Sequence, residues 1–316
     1  VSGPPLLARR LLFVLGKGGV GKSTVAAALG LVGAREGKRA LVVEVAGQEQ
    51  LSALFASGGV GTDRESVLAP GLHGISIDVE KATEEYLAEQ LHVRPVVELL
   101  ARSRAFHAFA AAAPGLAELV TIGKIWTLAT ALEPGTRTPV WDLIVVDAPA
   151  TGHGLALLDT AGHVKSLAGS GPLGDRAGRI EEVIQHPGAT GVAVVARPEE
   201  LAVSESIETV AALHERGLPV AAVVANAVTA RRFAPEEEDV LVALAASPDP
   251  TVAGTAEAAL GHLARQAEEE ALLERLSDAV DVPVLELPRL LRPRTPLEAL
   301  EPIADALAAS PEAARC

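Results

Sequence analysis

Eight consecutive residues, Gly16, Lys17, Gly18, Gly19, Val20, Gly21, Lys22 and Ser23, have the types and spacing to hold a polyphosphate. They fit the pattern G-x-x-x-x-G-K-[ST]. The apolar run Leu11–Leu15 enters it and an alanine-rich helical pattern leaves it. Glycines let such a backbone curl so that its N–H groups point inward at phosphate oxygens, and the helix that follows adds its positive N-terminal end. Lys22 would neutralise the β- and γ-phosphates. The Ser23 hydroxyl would ligate Mg²⁺, and Thr24 would add a hydroxyl near the α-phosphate. The expected cofactors are therefore ATP and Mg²⁺.

A second carboxylate element agrees with this. Trp141-Asp-Leu-Ile-Val-Val-Asp147 is an apolar strand ending in aspartate, placing Asp147 as the carboxylate that holds the metal. With the loop upstream, this role is favoured over simple capping of the next helix.

These groups need a scaffold. Leu11–Leu15, Ala40–Val45, Leu143–Val146, Val192–Val195, Val220–Val224 and Val282–Leu287 read as buried strands, with Leu72–Ile77 a weaker one. Helix-length segments lie between them, including Ser23–Glu36, Glu199–Arg216 and Ala256–Ala279. Continuous apolar strands alternating with helices predict an α/β fold, a doubly wound and mostly parallel sheet. From Thr83 to Glu133 there is helical pattern without a strand, read as a helical insertion within one domain spanning 10–309. The acidic run Glu236–Asp239 reads as a solvated helix start, and Ser247-Pro-Asp-Pro250 as a breaker.

Composition narrows the class. The chain has 316 residues, 49% hydrophobic but only 3% aromatic, so its core must be Leu, Val and Ala. A net charge of −14 opposes nucleic acid and anionic lipid as partners. The lone Cys316 excludes an intrachain disulfide or a cysteine zinc site. No apolar stretch approaches the ~20 residues a membrane span needs, and no leader pattern opens the sequence. A cytoplasmic protein without stable membrane insertion is expected.

Gly-Lys-Gly-Gly-Val-Gly-Lys-Ser-Thr resembles the deviant Walker A of the dimeric ATPase class that includes MinD, ParA, the nitrogenase iron protein and ArsA. The resemblance implies that Lys17 reaches across a two-fold interface to the other subunit's nucleotide, in a role like that of an arginine finger. Asp147-Ala148-Pro149-Ala-Thr151-Gly152-His153 is similar to switch II of the ArsA and tail-anchored-protein-targeting ATPases. Further similarity runs through Ile77–Tyr86, Ala113–Glu118 and Arg197–Leu201, covering most of residues 10–305. It implies that Asn226, ending a strand, reads adenine, and that Glu199, 27 positions earlier, contacts nucleotide. It also implies a dimer, a homodimer or a heterodimer with a paralogous ATPase, acting on a client that no residue names.

The departures from that family matter as much. Its switch I carries an aspartate that orients the attacking water, and here Ala46 takes that place, followed by Gly47, Gln48, Glu49 and Gln50. A methyl group can neither accept a proton nor orient water. Glu44 or Glu49 would have to substitute, although a 1 Å displacement of such a group costs about 10²-fold. Slow or partner-dependent hydrolysis is the expectation. The family's zinc clasp and its client groove of methionines cannot be built from a chain with one cysteine and no methionine.

Overall fold

The computed structural model describes residues 5–45, 50–55, 61, 64–84, 115–168, 171–290 and 296–310. Ala46 to Glu49, residues 85–114 of the expected insertion, and Cys316 lie outside the described residues.

Each expected strand is present. In chain order the elements begin with β1 (Leu11–Gly16), α1 (Lys22–Arg35), β2 (Ala40–Val45), α2 (Gln50–Leu54), β3 (Ser66–Ala69) and β4 (Leu72–Ile77). Then come α3 (Leu116–Thr130), β5 (Leu143–Asp147), α4 (Thr151–Ala168), α5 (Pro172–Gln185), β6 (Thr190–Ala196) and α6 (Glu200–Glu215). The chain closes with β7 (Val220–Val228), α7 (Glu238–Ala245), α8 (Pro250–Ala279), β8 (Val284–Pro288) and α9 (Pro296–Ala309). Eight strands form one sheet in the order β3-β4-β2-β5-β1-β6-β7-β8. All neighbours run parallel except β3, which pairs antiparallel with β4 at one edge.

The sheet's two faces explain the unbroken apolar runs. Along β1, Leu11, Phe13 and Leu15 enter one core, while Leu12 and Val14 enter the other, because successive side chains point to opposite faces. The first core takes Ile125 of α3, Leu158 of α4, Ile180 of α5 and Val210 of α6. The second takes Val25 and Leu29 of α1, Leu51 of α2 and Leu307 of α9. Helix α1 approaches the sheet so closely that a Cβ on Gly30 would stand 2.5 Å from Val42 Cγ2 and 2.9 Å from Leu72 Cδ1. That contact seats the second half of α1 against β2 and β4.

Strand β1 is central, and the chain leaves it for β2 on one side and later crosses it from β5 to β6 on the other. The crevice at such a reversal, at the carboxyl ends of the strands, is where ligands bind in open α/β sheets.

Two differences from the sequence reading are informative, and one expectation is met. Strand β3 is four residues long and only partly buried, so it leaves almost no pattern. Helix α8 starts at Pro250, inside the expected breaker. Asp249 caps it by accepting from Thr251 N at 2.8 Å and Val252 N at 3.4 Å, and proline is favoured at a first helical position. The acidic run does open a helix, with Glu238 and Asp239 in the first turn of α7. Among the described residues, no helix is long and apolar enough to cross a membrane.

Candidate functional site

The loop between β1 and α1 is built from its glycines. Gly16, Gly19 and Gly21 have φ of 149°, 84° and 97°, where L-residues are strained. Two are also sterically closed: a Cβ on Gly16 would lie 2.3 Å from the Val195 carbonyl oxygen, and one on Gly21 would lie 2.2 Å from Asn226 Nδ2. Gly21 is the N-cap of α1 and offers no side-chain acceptor, so the first helical N–H groups are free to face an anion.

Lys22 opens α1, and its Nζ donates to the Lys17 carbonyl at 3.2 Å, folding the side chain back under the loop. Burial lowers its affinity for a proton relative to an ordinary lysine, and the negative Asp147 opposes that effect. Asp147 ends β5, beside β1, and is only 2% exposed. Its carboxyl is held above the usual carboxylate range, first by burial; the Ser23 hydroxyl and the Lys22 ammonium pull it back. Among the described residues, neither Asp147 oxygen receives a donor at hydrogen-bond geometry.

Two buried carboxylate oxygens without donors, next to a hydroxyl, suit a hard divalent cation. Among the described residues no group of three or more His, Cys, Asp or Glu could hold a metal. A cation here would complete its shell with phosphate oxygens and water, the usual habit of Mg²⁺.

Glu44 is fully buried on β2 and sits in strand register with Asp147 on β5. Its Oε1 accepts from Gln50 N at 2.7 Å, tying the end of β2 to the start of α2. The rest of the segment expected to form switch II follows directly: Ala148 N donates to the Val14 carbonyl at 3.2 Å, and Pro149 leads into α4. Thr151, Gly152 and His153 form the first turn of α4, with Gly152 and His153 exposed.

Asn226 lies on β7, and its Nδ2 donates to the Val20 carbonyl at 2.8 Å. The residue expected to read adenine therefore also braces the phosphate loop. Glu199 is the N-cap of α6 and pairs with Arg197 at 3.1 Å. Lys17 Nζ does not stand free in the loop: it meets Glu205 Oε1 of α6 at 2.7 Å.

Several residues here left no sequence signal. Ala227 has φ 62°, and its carbonyl accepts from Arg289 Nε at 3.3 Å. Glu269, 6% exposed, accepts from both Thr229 N (2.7 Å) and Thr229 Oγ1 (2.8 Å). Together they shape the chain just beyond Asn226. Each is a contact between distant segments, so no local motif announces it.

A phosphate loop at the sheet's crossover point, with a buried aspartate ending the neighbouring strand, defines a P-loop ATPase of doubly wound α/β architecture. Residues 9–169 match the family model described as Anion-transporting ATPase, and the chain belongs to that family. It is 31% identical over 298 residues to ATPase BagA of Mycobacterium tuberculosis, covering 88% of this chain and 87% of that protein. It is 31% identical to a Putative arsenical pump-driving ATPase of Halobacterium salinarum, over 70% of this chain and 36% of that one. With ATPase GET3B of Arabidopsis thaliana it shares 28% identity over 69% and 64% of the two chains. The chain is thus a nucleotide-dependent ATPase.

Proposed function

We propose that this ATPase is a nucleotide-driven switch working as two subunits, with ATP held at their interface. The observation that carries the reading is the convergence of Lys22, Ser23 and the buried Asp147, with the Ser23 hydroxyl against its carboxyl, at the helix end of the glycine loop. Backbone N–H groups of the loop and the N-terminus of α1 would cradle the phosphates, and Lys22 would leave the Lys17 carbonyl for their charge. Asn226 would hold the loop in that shape while presenting its amide toward the base, and Glu199, the N-cap of α6, would contact the nucleotide. Ser23 and Asp147 would hold Mg²⁺, which when bound neutralises phosphate charge.

Lys17 would act on the nucleotide of the other subunit, as its position within the loop suggests. The segment Asp147 to His153 joins the cation site directly to α4, and α4 packs against α3, which lies within the expected insertion. A change at the phosphates would therefore be passed to that helical surface, where a client or partner would be held. The range 83–133 as an insertion within one domain of residues 10–309 belongs to this same reading.

A second reading, favoured by Ala46, is a hydrolysis-impaired subunit that pairs with a catalytic paralogue. Among the described residues, Glu44 is then the carboxylate in register beside Asp147 that would orient water, with Glu49 the other candidate by sequence. The two readings separate in one experiment: light scattering with ATP and Mg²⁺ on the chain alone, with Lys17→Ala as control. A Lys17-dependent dimer with steady turnover supports the homodimer. A monomer that dimerises and turns over only with a paralogue bearing the switch I aspartate supports the second. Nucleotide binding without any assembly sinks both.

A further inference from the structure

The ion pair between Lys17 and Glu205 joins the phosphate loop to α6 across 188 residues, Nζ to Oε1 at 2.7 Å. We propose that Glu205 is the resting counter-ion of Lys17, a positioning residue that withholds this lysine until a second subunit arrives. The proposal rests on the two-subunit reading above and adds the residue that regulates it.

The two partners are held unequally. Glu205 rides on a helix whose neighbouring positions Ala202, Val203 and Ser206 are all buried, so its backbone is fixed against the sheet. The Lys17 backbone is also held, because its carbonyl accepts from Lys22. The Lys17 side chain, in contrast, is 40% exposed, and the sides of Gly18 and Gly19 that a Cβ would occupy face open space. The moving part is therefore the exposed lysine, set against a fixed α6, and its backbone loses the Lys22 contact when Lys22 turns to the phosphates.

Charge supplies the regulation. While Lys17 touches a carboxylate, much of the positive charge a partner's phosphates would meet is cancelled. If Lys17 kept both contacts with its three donors, Glu205 would still stand near the incoming polyphosphate and repel it. Either way Glu205 opposes closure, a built-in bias against assembly without ATP of the kind that gives specificity by repulsion. The pair is 40% and 37% exposed, so the bias is small and salt-sensitive. Such pairs shift an equilibrium by about two- to fivefold each, compounding to about four- to 25-fold over the two equivalent pairs of a symmetric dimer.

The test measures the dimer dissociation constant by sedimentation with Mg²⁺ and a non-hydrolysable ATP analogue. The full chain is compared with Glu205→Gln, Lys17→Ala and the double variant, at low and high salt, with melting temperatures as folding controls. Glu205→Gln should tighten the dimer about four- to 25-fold at low salt, less at high salt, and by a smaller factor on the Lys17→Ala background, where only the direct repulsion is relieved. A dimer unchanged or weakened by Glu205→Gln, yet lost in Lys17→Ala, overturns the proposal, because Glu205 would then be a strut that prepares Lys17 for use. A nucleotide-dependent dimer indifferent to Lys17→Ala, or no dimer in any variant, overturns the two-subunit reading itself and the proposal with it.

Discussion

Asn226 reaches 206 residues back along the chain to donate its side-chain amide to the Val20 carbonyl, so the phosphate loop is braced by strand β7. The geometry at Gly21 is the complement of that bond: with any Cβ there, the amide could not occupy its place. One contact thus ties the residue proposed to face the base to the loop proposed to face the phosphates.

Asn226→Ala should weaken ATP binding by about 0.5–1.5 kcal/mol, the net worth of one hydrogen bond, or about two- to tenfold in affinity. Gly21→Ala should do more, since it combines a closed site with a left-handed φ of 97°. Calorimetric titration with ATP ranks them. An Asn226→Ala protein with unchanged affinity would show that the brace is idle.

Asp147 carries a pH signature. Burial raises its folded carboxyl above the ordinary 3.8, so between that value and the folded one the folded state keeps a proton that the unfolded state has released. The associated stability is fully present below about pH 3.8 and is lost as pH rises through the folded value; above it the whole penalty of a buried charge remains. Metal-free protein should therefore lose stability across that window, and Asp147→Asn should flatten this part of the profile. The same variant should bind ATP with little response to Mg²⁺. Thermal melts from pH 3 to 8, with and without EDTA, check the first outcome, and Mg²⁺ titration of nucleotide affinity checks the second.

Restoring the switch I aspartate should restore turnover. Ala46→Asp is expected to raise the steady-state ATPase rate by about 10²-fold, the lower range for a positioned general base. Glu44→Gln should lower whatever rate the native chain has. A brisk native rate indifferent to Glu44→Gln and unimproved by Ala46→Asp would refute the reading of a disabled switch I.

Gly30 tests the packing beneath the site. Alanine there must displace Val42 and Leu72 side chains, and overpacking of this kind costs about 1–3 kcal/mol. The melting temperature should fall by several degrees, with ATP affinity falling as α1 lifts from β2 and β4. Retained stability would mean that the neighbouring side chains re-pack without strain.

The amino-acid sequence by itself determined the glycine loop, its strand and helix, the aspartate ending β5 and the alternation that makes a parallel sheet. Each is contiguous in the chain, and burial on both faces writes itself as an unbroken apolar run. Strand β3 escaped because four partly exposed residues carry no such run, and the start of α8 escaped because a proline reads alike as breaker and as first helical residue. What only the tertiary structure decided are the partnerships: Asn226 with Val20, Glu44 in register with Asp147, Arg289 with Ala227, and Lys17 with Glu205. Strand order and helix packing bring these residues together from positions 62 to 206 apart, and at that separation no local spacing rule applies.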